Sequence, residues 1–111
     1  MTTFELETSH EEDHVRLLLF GELDIAAAPQ VDGTLAELEG ERPSRIVLDL
    51  RGLTFLDSTG LRSLLGADAR ARDAGRCLTL IQGPDPVQRV FSITGLDGRL
   101  EIVENEAALA H

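Results

Sequence analysis

The segment at 45–50 constrains the fold more than any other part of the chain. Its sequence, Arg-Ile-Val-Leu-Asp-Leu, places apolar side chains on both faces of an extended strand. A strand of that kind is stable when both faces of its sheet are covered, as in parallel sheets flanked by helices. The segment therefore predicts the central strand of an α/β protein.

Strand and helix patterns alternate around this segment. Residues 3–8 alternate between polar and apolar, which predicts an edge strand, and residues 15–20 predict a more central strand paired with it antiparallel through a hairpin. Apolar spacing and flanking Pro or Gly residues predict the other elements. These are helices at 29–39, 61–74 and 86–94, strands at 76–81 and 100–103, and a short last helix at 104–110.

This order of elements predicts an α/β fold with a mostly parallel sheet of about five strands, an antiparallel N-terminal edge strand, and helices packed on the sheet. With 111 residues the chain has room for one compact domain, spanning residues 1–111. The single cysteine, Cys77, cannot form an internal disulfide. Because it lies in an apolar strand segment, we expect its thiol to be packed in the core.

Charge and composition narrow the function. The formal charge of -10 at pH 7 opposes binding to nucleic acid phosphates. All ten basic residues are Arg, which excludes chemistry that depends on a lysine amine, including the phosphorylated receiver domains that need one. The chain has neither a membrane-spanning apolar stretch nor a basic leader at its start, so we expect a cytoplasmic protein with no membrane partner.

Two sequence motifs of enzymes do not fit the chain. The string His10-Glu11-Glu12-Asp13-His14 matches the H-E-x-x-H pattern of zinc proteases, but that chemistry requires a helix and the string separates two predicted strands. A serine hydrolase needs Gly two residues before its nucleophile, where Ser58 has Leu56. We therefore expect no catalytic residue, no metal and no cofactor.

Functional residues are expected at one edge of the sheet. The carboxyl ends of parallel strands meet there, and in open α/β sheets that edge is where sites collect. Connections at 21–24, 51–60 and 82–85 leave from it. The topology thus predicts that Asp24, Asp57 and Ser58 share one pole of the molecule, with Asp85 as a further candidate.

The middle connection is the most unusual of the three, because Leu53, Phe55 and Leu56 place apolar side chains where a polar loop is expected. Ser58 then begins a helix. Two interpretations stay open at this point. The apolar residues could form an exposed partner surface, or they could close the end of the core while Ser58 serves as an ordinary N-cap.

Several motifs, in order and spacing, resemble the STAS family, specifically its anti-sigma-factor antagonists. The resemblance runs from about residue 4 to about residue 109. The motifs are Gly21-Glu22-Leu23-Asp24, Ile46-Val47-Leu48-Asp49-Leu50, Leu53-Thr54-Phe55-Leu56-Asp57-Ser58-Thr59-Gly60-Leu61, and Val90-Phe91 with Thr94-Gly95-Leu96.

The resemblance implies a bacterial partner switch in stress response and transcription regulation. The unphosphorylated protein would bind an anti-sigma factor, itself a serine kinase of the ATPase fold, and free a sigma factor; phosphorylation at Ser58 would release it. Thr59 stands where many members have a second serine. The resemblance and the predicted topology together indicate the partner-binding residues, which are Asp24, Leu53, Phe55, Leu56, Asp57, Ser58, Thr59, Gly60 and Leu61.

The resemblance leaves an alternative, since some STAS proteins are free-standing subunits that regulate a transporter or belong to a stress-signalling complex. Which partner co-purifies with the protein would separate the two functions. In either case we expect a protein that is a monomer or a weak dimer.

Overall fold

The computed structural model describes residues 3–109. Its five strands are β1 (Phe4–His10), β2 (Val15–Leu23), β3 (Arg45–Leu56), β4 (Cys77–Ile81) and β5 (Ile102–Val103). The α-helices in the described part of the chain are α1 (Ala28–Gly40), α2 (Ser58–Asp73) and α3 (Asp85–Ile93). Short 3-10 helices lie at Leu96–Gly98 and Glu106–Leu109.

The strands form one sheet in which spatial order follows chain order, β1-β2-β3-β4-β5. β1 pairs antiparallel with β2 from Phe4↔Gly21 to His10↔Val15, and the remaining pairs are parallel. This confirms the predicted mostly parallel sheet with an antiparallel N-terminal edge. Each crossover advances one strand in the same direction, so right-handed connections place α1, α2 and α3 on the same face of the sheet.

The main core lies between that face and the helices. Leu17, Leu19 and Leu48 are fully buried on the strands, opposite Leu35 and Phe91 on the helices. Burial of several such side chains, each contributing roughly 1.5–3 kcal/mol, is the main force that holds the helices on the sheet. The stripe predicted for α1 is confirmed, since its buried residues are Ala28, Val31, Leu35 and Leu38.

The other face of the sheet is covered by the C-terminal segment. Leu109 packs there against Val47 and Ile81 in a second, smaller cluster. Beside it Asp49, only 3% exposed, accepts two hydrogen bonds from the Arg51 guanidinium, at 3.0 and 2.7 Å. Burial disfavours the charge of Asp49, but the hydrogen bonds from Arg51 outweigh it, so the pKa of Asp49 is lowered from its usual value.

The C-terminal 3-10 helix is tied to this ion pair. The Glu106 carboxylate lies 3.3 Å from Arg16 and also accepts a hydrogen bond from Arg51. That hydrogen bond, with the positive charge of Arg16, lowers the pKa of Glu106. The helix predicted at 104–110 was too long, because the structure has only a single 3-10 turn at 106–109; residue 110 lies outside the described residues.

The prediction for Cys77 was wrong, because its side chain is exposed. Cys77 is the first residue of β4, where the burial pattern begins exposed and continues buried through Ile81. It lies on the sheet face that the C-terminal segment covers, but that cover does not reach the start of β4. The apolar character of a strand segment therefore did not predict the environment of its first residue.

The hairpin between β1 and β2 agrees with the prediction for the H-E-x-x-H string, which lies across a turn that joins His10 to Val15 rather than on a helix. His10 contacts Glu41 at 2.8 Å, and His14 contacts Asp13 at 2.7 Å. The two histidines thus have separate carboxylate partners. No helix within residues 3–109 is long and apolar enough to span a bilayer.

Candidate functional site

The ends of β2 and β3 meet at one pole of the molecule, which we call the Ser58 pole and define as residues 24–27 with residues 55–62. The chain just after β3 is bonded to the end of β2, because the Asp57 N–H donates to the Leu23 carbonyl oxygen at 3.3 Å. Strand pairing continues to the last residues of both strands, Leu23↔Leu56. The sheet therefore sets the turn before α1 against the first turn of α2.

β3 is longer than predicted and includes most of the segment that was expected to be a loop. Its register against β2 shifts twice, between Leu18 and Phe20 and between Gly21 and Glu22 on the partner strand. In a regular strand, side chains three residues apart point to opposite faces. The second irregularity lets Leu53 and Leu56, which are three apart, both reach the core.

Gly60 allows the close packing at this pole. A Cβ atom at this position would lie 2.6 Å from both the Leu23 carbonyl oxygen and the Leu23 Cγ. Because the first of these contacts is with backbone, a larger residue would have to push α2 away from the end of β2. Gly60 is thus a packing residue, and its hydrogen atom faces Leu23 rather than solvent.

Asp57, not Ser58, is the N-cap of α2. Its backbone is extended and its carboxylate accepts a hydrogen bond from the Gly60 N–H at 2.9 Å. Ser58 is the first residue of the helix, and among residues 3–109 its hydroxyl has no hydrogen-bond partner. The interpretation of Ser58 as an N-cap was wrong, because the Asp57 carboxylate makes the capping hydrogen bond to the Gly60 N–H.

The Ser58 side chain is exposed, whereas Thr59 beside it is half-buried. The N–H groups of the first helical residues have no partner within the helix, so the hydroxyl of Ser58 lies at the positive end of α2. A hydroxyl in this position is accessible to a partner protein and unoccupied by the fold.

Asp24 organises the turn before α1. Its Oδ1 accepts hydrogen bonds from the N–H groups of Ala26 and Ala27, both at 3.0 Å. Its carbonyl oxygen accepts from Ala27 and Ala28. These contacts make Asp24 the residue that organises the turn into α1, and its role in partner recognition stays a prediction.

The predicted apolar surface is smaller than expected. Leu53, Leu56 and Leu61 are at most 7% exposed and belong to the main core. Phe55 is 46% exposed, and Ile25, in the turn beside Asp24, is 73% exposed. Ile25 is followed by three alanines and lies in the turn before α1, where no other element covers its side chain.

Asp85, the further candidate at this edge, lies at the start of α3 and is exposed. Among residues 3–109 no hydrogen bond or salt bridge joins it to Asp24 or Asp57. Within the same residues, no three His, Cys, Asp or Glu side chains are close enough together to hold a metal ion.

Comparison with known proteins relates this arrangement to regulators of transcription. The family described as "Mlab, STAS domain" matches residues 6–104. An anti-sigma-B factor antagonist from Listeria monocytogenes is 34% identical over 98 residues, which cover 86% of this chain and 86% of the relative.

Solved structures agree with the sequence match. The anti-sigma factor antagonist SpoIIAA in its unphosphorylated form is 26% identical, with a TM-score of 0.77 over 96% of this chain and 93% of that one. The phosphorylated form of the Bacillus cell fate determinant SpoIIAA is 28% identical, with a TM-score of 0.70 over 96% of each chain. An antagonist from Mycobacterium paratuberculosis, 20% identical, shares the fold with a TM-score of 0.86 over 96% of this chain and 90% of that one.

Proposed function

We propose that this chain is a partner switch controlled at Ser58, because it belongs to the STAS domain family and, within it, to the anti-sigma-factor antagonists. The members of that group are regulatory proteins rather than enzymes. In the unphosphorylated state the chain binds an anti-sigma factor and frees a sigma factor. The anti-sigma factor, acting as a serine kinase, phosphorylates Ser58 and thereby ends its own binding.

The observation that carries this proposal is the exposed hydroxyl of Ser58 on a helix that Asp57 already caps. This hydroxyl makes no hydrogen bond within the described residues, so a kinase can phosphorylate it without unfolding the first turn of α2. Thr59 is the less accessible of the two adjacent hydroxyl residues because it is half-buried. SpoIIAA, which has been solved in unphosphorylated and phosphorylated forms, supports the proposal by likeness.

A phosphate on Ser58 is compatible with the folded state. It would sit by the unpaired N–H groups and the positive end of the α2 dipole, where anions are stabilised by roughly 0.3–1 kcal/mol at exposed positions. The fold of the phosphorylated protein is therefore expected to resemble that of the unmodified one.

The same phosphate is unfavourable for a docked partner. It adds about -1.5 to -2 charges at pH 7 to a surface that presents the apolar side chains of Ile25 and Phe55. Asp57 and Asp24 lie on the same pole and outnumber its one arginine, Arg62. Repulsion and the cost of desolvating a dianion at an apolar interface would then release the partner.

The proposal is tested by incubating the protein with Mg-ATP and the anti-sigma kinases encoded near its gene, then mapping phosphate by mass spectrometry. We expect one phosphate, on Ser58, in the wild type and in Thr59→Ala, and none in Ser58→Ala. Phosphate on Thr59 or on no residue would contradict the assignment. Capture of a transporter ATPase in place of an anti-sigma factor would instead favour the alternative of a transporter-regulating STAS subunit.

A further inference from the structure

A groove of about 400 Å³ runs between α1 and α2 and opens at the Ser58 pole. Ile25, Pro29 and Thr59 line the end nearest Ser58, and Arg70 lines the far end. The residues that α2 contributes span from Thr59 to Arg70, which is roughly 16 Å along a helix. The groove is therefore long enough to receive several side chains of a partner, starting next to Ser58.

The two arginines of the groove differ in their partners. At the far end, the Arg70 guanidinium donates to the Glu39 carboxylate at 2.8 to 3.1 Å, and Asp32 adds a second negative charge near it. Near the Ser58 end, Arg62 is exposed and makes no salt bridge or hydrogen bond with any of residues 3–109. The groove therefore has a neutralised far end and an unpaired positive charge at its near end.

Six of the ten arginines, Arg62 among them, make no salt bridge within residues 3–109, so the position of Arg62 rather than its lack of a partner sets it apart. Arg62 lies one helical turn after Ser58 and shares the groove with Ile25, an aliphatic side chain that is 73% exposed. Exposed apolar area beside an unpaired guanidinium has the composition of an interface centre, where Arg is enriched.

We propose that the α1–α2 groove is a recognition subsite for the anti-sigma factor, and that its occupant is an aliphatic side chain with a neighbouring carboxylate. The aliphatic group packs against Ile25 and Pro29, and the carboxylate pairs with Arg62. This inference rests on the proposed function and deepens it, because it assigns part of partner selection to residues that are separate from the phosphorylated hydroxyl. The charge of Arg62 is complementary to that carboxylate, and the groove is continuous with the Ser58 pole.

The first test compares charge reversals that change the net charge equally. Affinity for the anti-sigma factor is measured by titration calorimetry for the wild type, Arg62→Glu and Arg89→Glu. Arg89 is the control because it is also exposed and has no salt bridge among residues 3–109, but lies on α3, away from the groove. We expect Arg62→Glu to bind at least about tenfold more weakly and Arg89→Glu to bind within about twofold of wild type. Equal effects of the two reversals would overturn the proposal, since they would reflect net charge alone.

The apolar half of the subsite has a matched control in Ile93, which is 77% exposed against 73% for Ile25. We expect Ile25→Asp to weaken binding by about tenfold and Ile93→Asp to leave it unchanged. Raising the salt concentration should weaken the wild type more than Arg62→Gln, because the variant has lost the charge that salt screens. A salt dependence that is the same in both proteins would count against an ion pair at Arg62.

Three further outcomes show whether the proposed function or the proposed subsite is wrong. If the wild type does not bind the anti-sigma factor at all, both the proposed function and this subsite are wrong. If the wild type binds, Ser58→Asp does not, and Arg62→Glu binds like the wild type, then the switch stands and the subsite is refuted. A loss in Arg62→Glu that is seen only with nucleotide-bound anti-sigma factor would also overturn the proposal, because Arg62 would then contact nucleotide phosphate rather than a carboxylate.

Discussion

The Ser58 pole and the C-terminal face of the sheet both carry acidic and basic side chains, but they use them differently. On the C-terminal face the charges are paired: buried Asp49 is bound by Arg51, and Arg51 and Arg16 both contact Glu106. At the Ser58 pole, Ser58 and Arg62 have no partner among residues 3–109. The two carboxylates there, Asp24 and Asp57, bond only backbone N–H groups.

This difference separates structural charges from those available to a partner. A buried carboxylate must be paired, because leaving it alone costs several kcal/mol. Exposed charges need no partner within the fold, and their pairing energy remains available for binding. The Ser58 pole is therefore held together by backbone contacts, whereas the C-terminal segment is held to its face partly by an ion-pair network.

The largest effect is expected from Gly60→Ala, because it attacks the backbone packing of the Ser58 pole. The added Cβ would lie 2.6 Å from the Leu23 carbonyl oxygen. We expect a loss of about 2 to 3 kcal/mol in the free energy of unfolding, measured by urea denaturation.

Gly33→Ala is the matched control for that change, since a Cβ at Gly33 on α1 would meet nothing within 4 Å. It should stabilise the protein by about 0.5 to 1 kcal/mol, the usual gain when alanine replaces glycine inside a helix. Equal effects of the two substitutions would mean that the pole is not held by the contact of Gly60 with Leu23.

The next largest effect is expected on the C-terminal face, from Asp49→Asn. Loss of the charge-assisted hydrogen bonds to Arg51 should lower the free energy of unfolding by about 2 kcal/mol at pH 7. Because the pKa of Asp49 is lowered in the folded state, its charged form stabilises the fold at pH values above its unfolded value of 3.8. That stabilisation should disappear as the pH falls below this value and through the lowered folded pKa.

Urea denaturation between pH 7 and pH 3 checks this account. The difference in stability between the wild type and Asp49→Asn should be largest near neutral pH and should shrink on acidification below about pH 4. A difference that stays constant with pH would mean that the carboxylate charge of Asp49 is not what stabilises this face.

The smallest effects are expected from single changes at the first turn of α2, and they should differ in size. Asp57→Ala removes the capping carboxylate and should cost about 1 kcal/mol. Ser58→Ala removes a hydroxyl without a partner in the fold, and a surface change of that kind is usually within about 0.5 kcal/mol. The reverse order in urea denaturation would show that Ser58 has the capping role.

The sequence predicted the fold well because its strongest patterns were long. The apolar segment at 46–50 and the helical stripe at Val31, Leu35 and Leu38 are both buried as expected. Prediction failed where short-range geometry decided the structure. Leu53 and Leu56 are three residues apart and do not fit the alternation of a regular strand, and only the register shift explains how both residues face the core.

The sequence predicted that the site residues lie at one pole, but it did not predict the role of each residue there. Topology brought Asp24 and Asp57 to one edge, but which residue caps α2 depends on the extended backbone of Asp57. The ion-pair network around Asp49 was missed because Arg51, which binds Asp49, also contacts Glu106, which is far away in the sequence. The groove was missed for a similar reason, since α1 and α2 form it together.

The central claim is that charge at Ser58 decides partner binding while leaving the fold intact. Its most direct test is the affinity of the anti-sigma factor for Ser58→Asp, Ser58→Ala and Ser44→Asp. The last variant is the control, because Ser44 is an exposed serine just before β3, at the opposite end of that strand from Ser58. We predict that all three fold with stabilities close to that of the wild type, that Ser58→Ala and Ser44→Asp bind like the wild type, and that Ser58→Asp binds at least about tenfold more weakly. Binding of Ser58→Asp as tight as that of the wild type would contradict the claim.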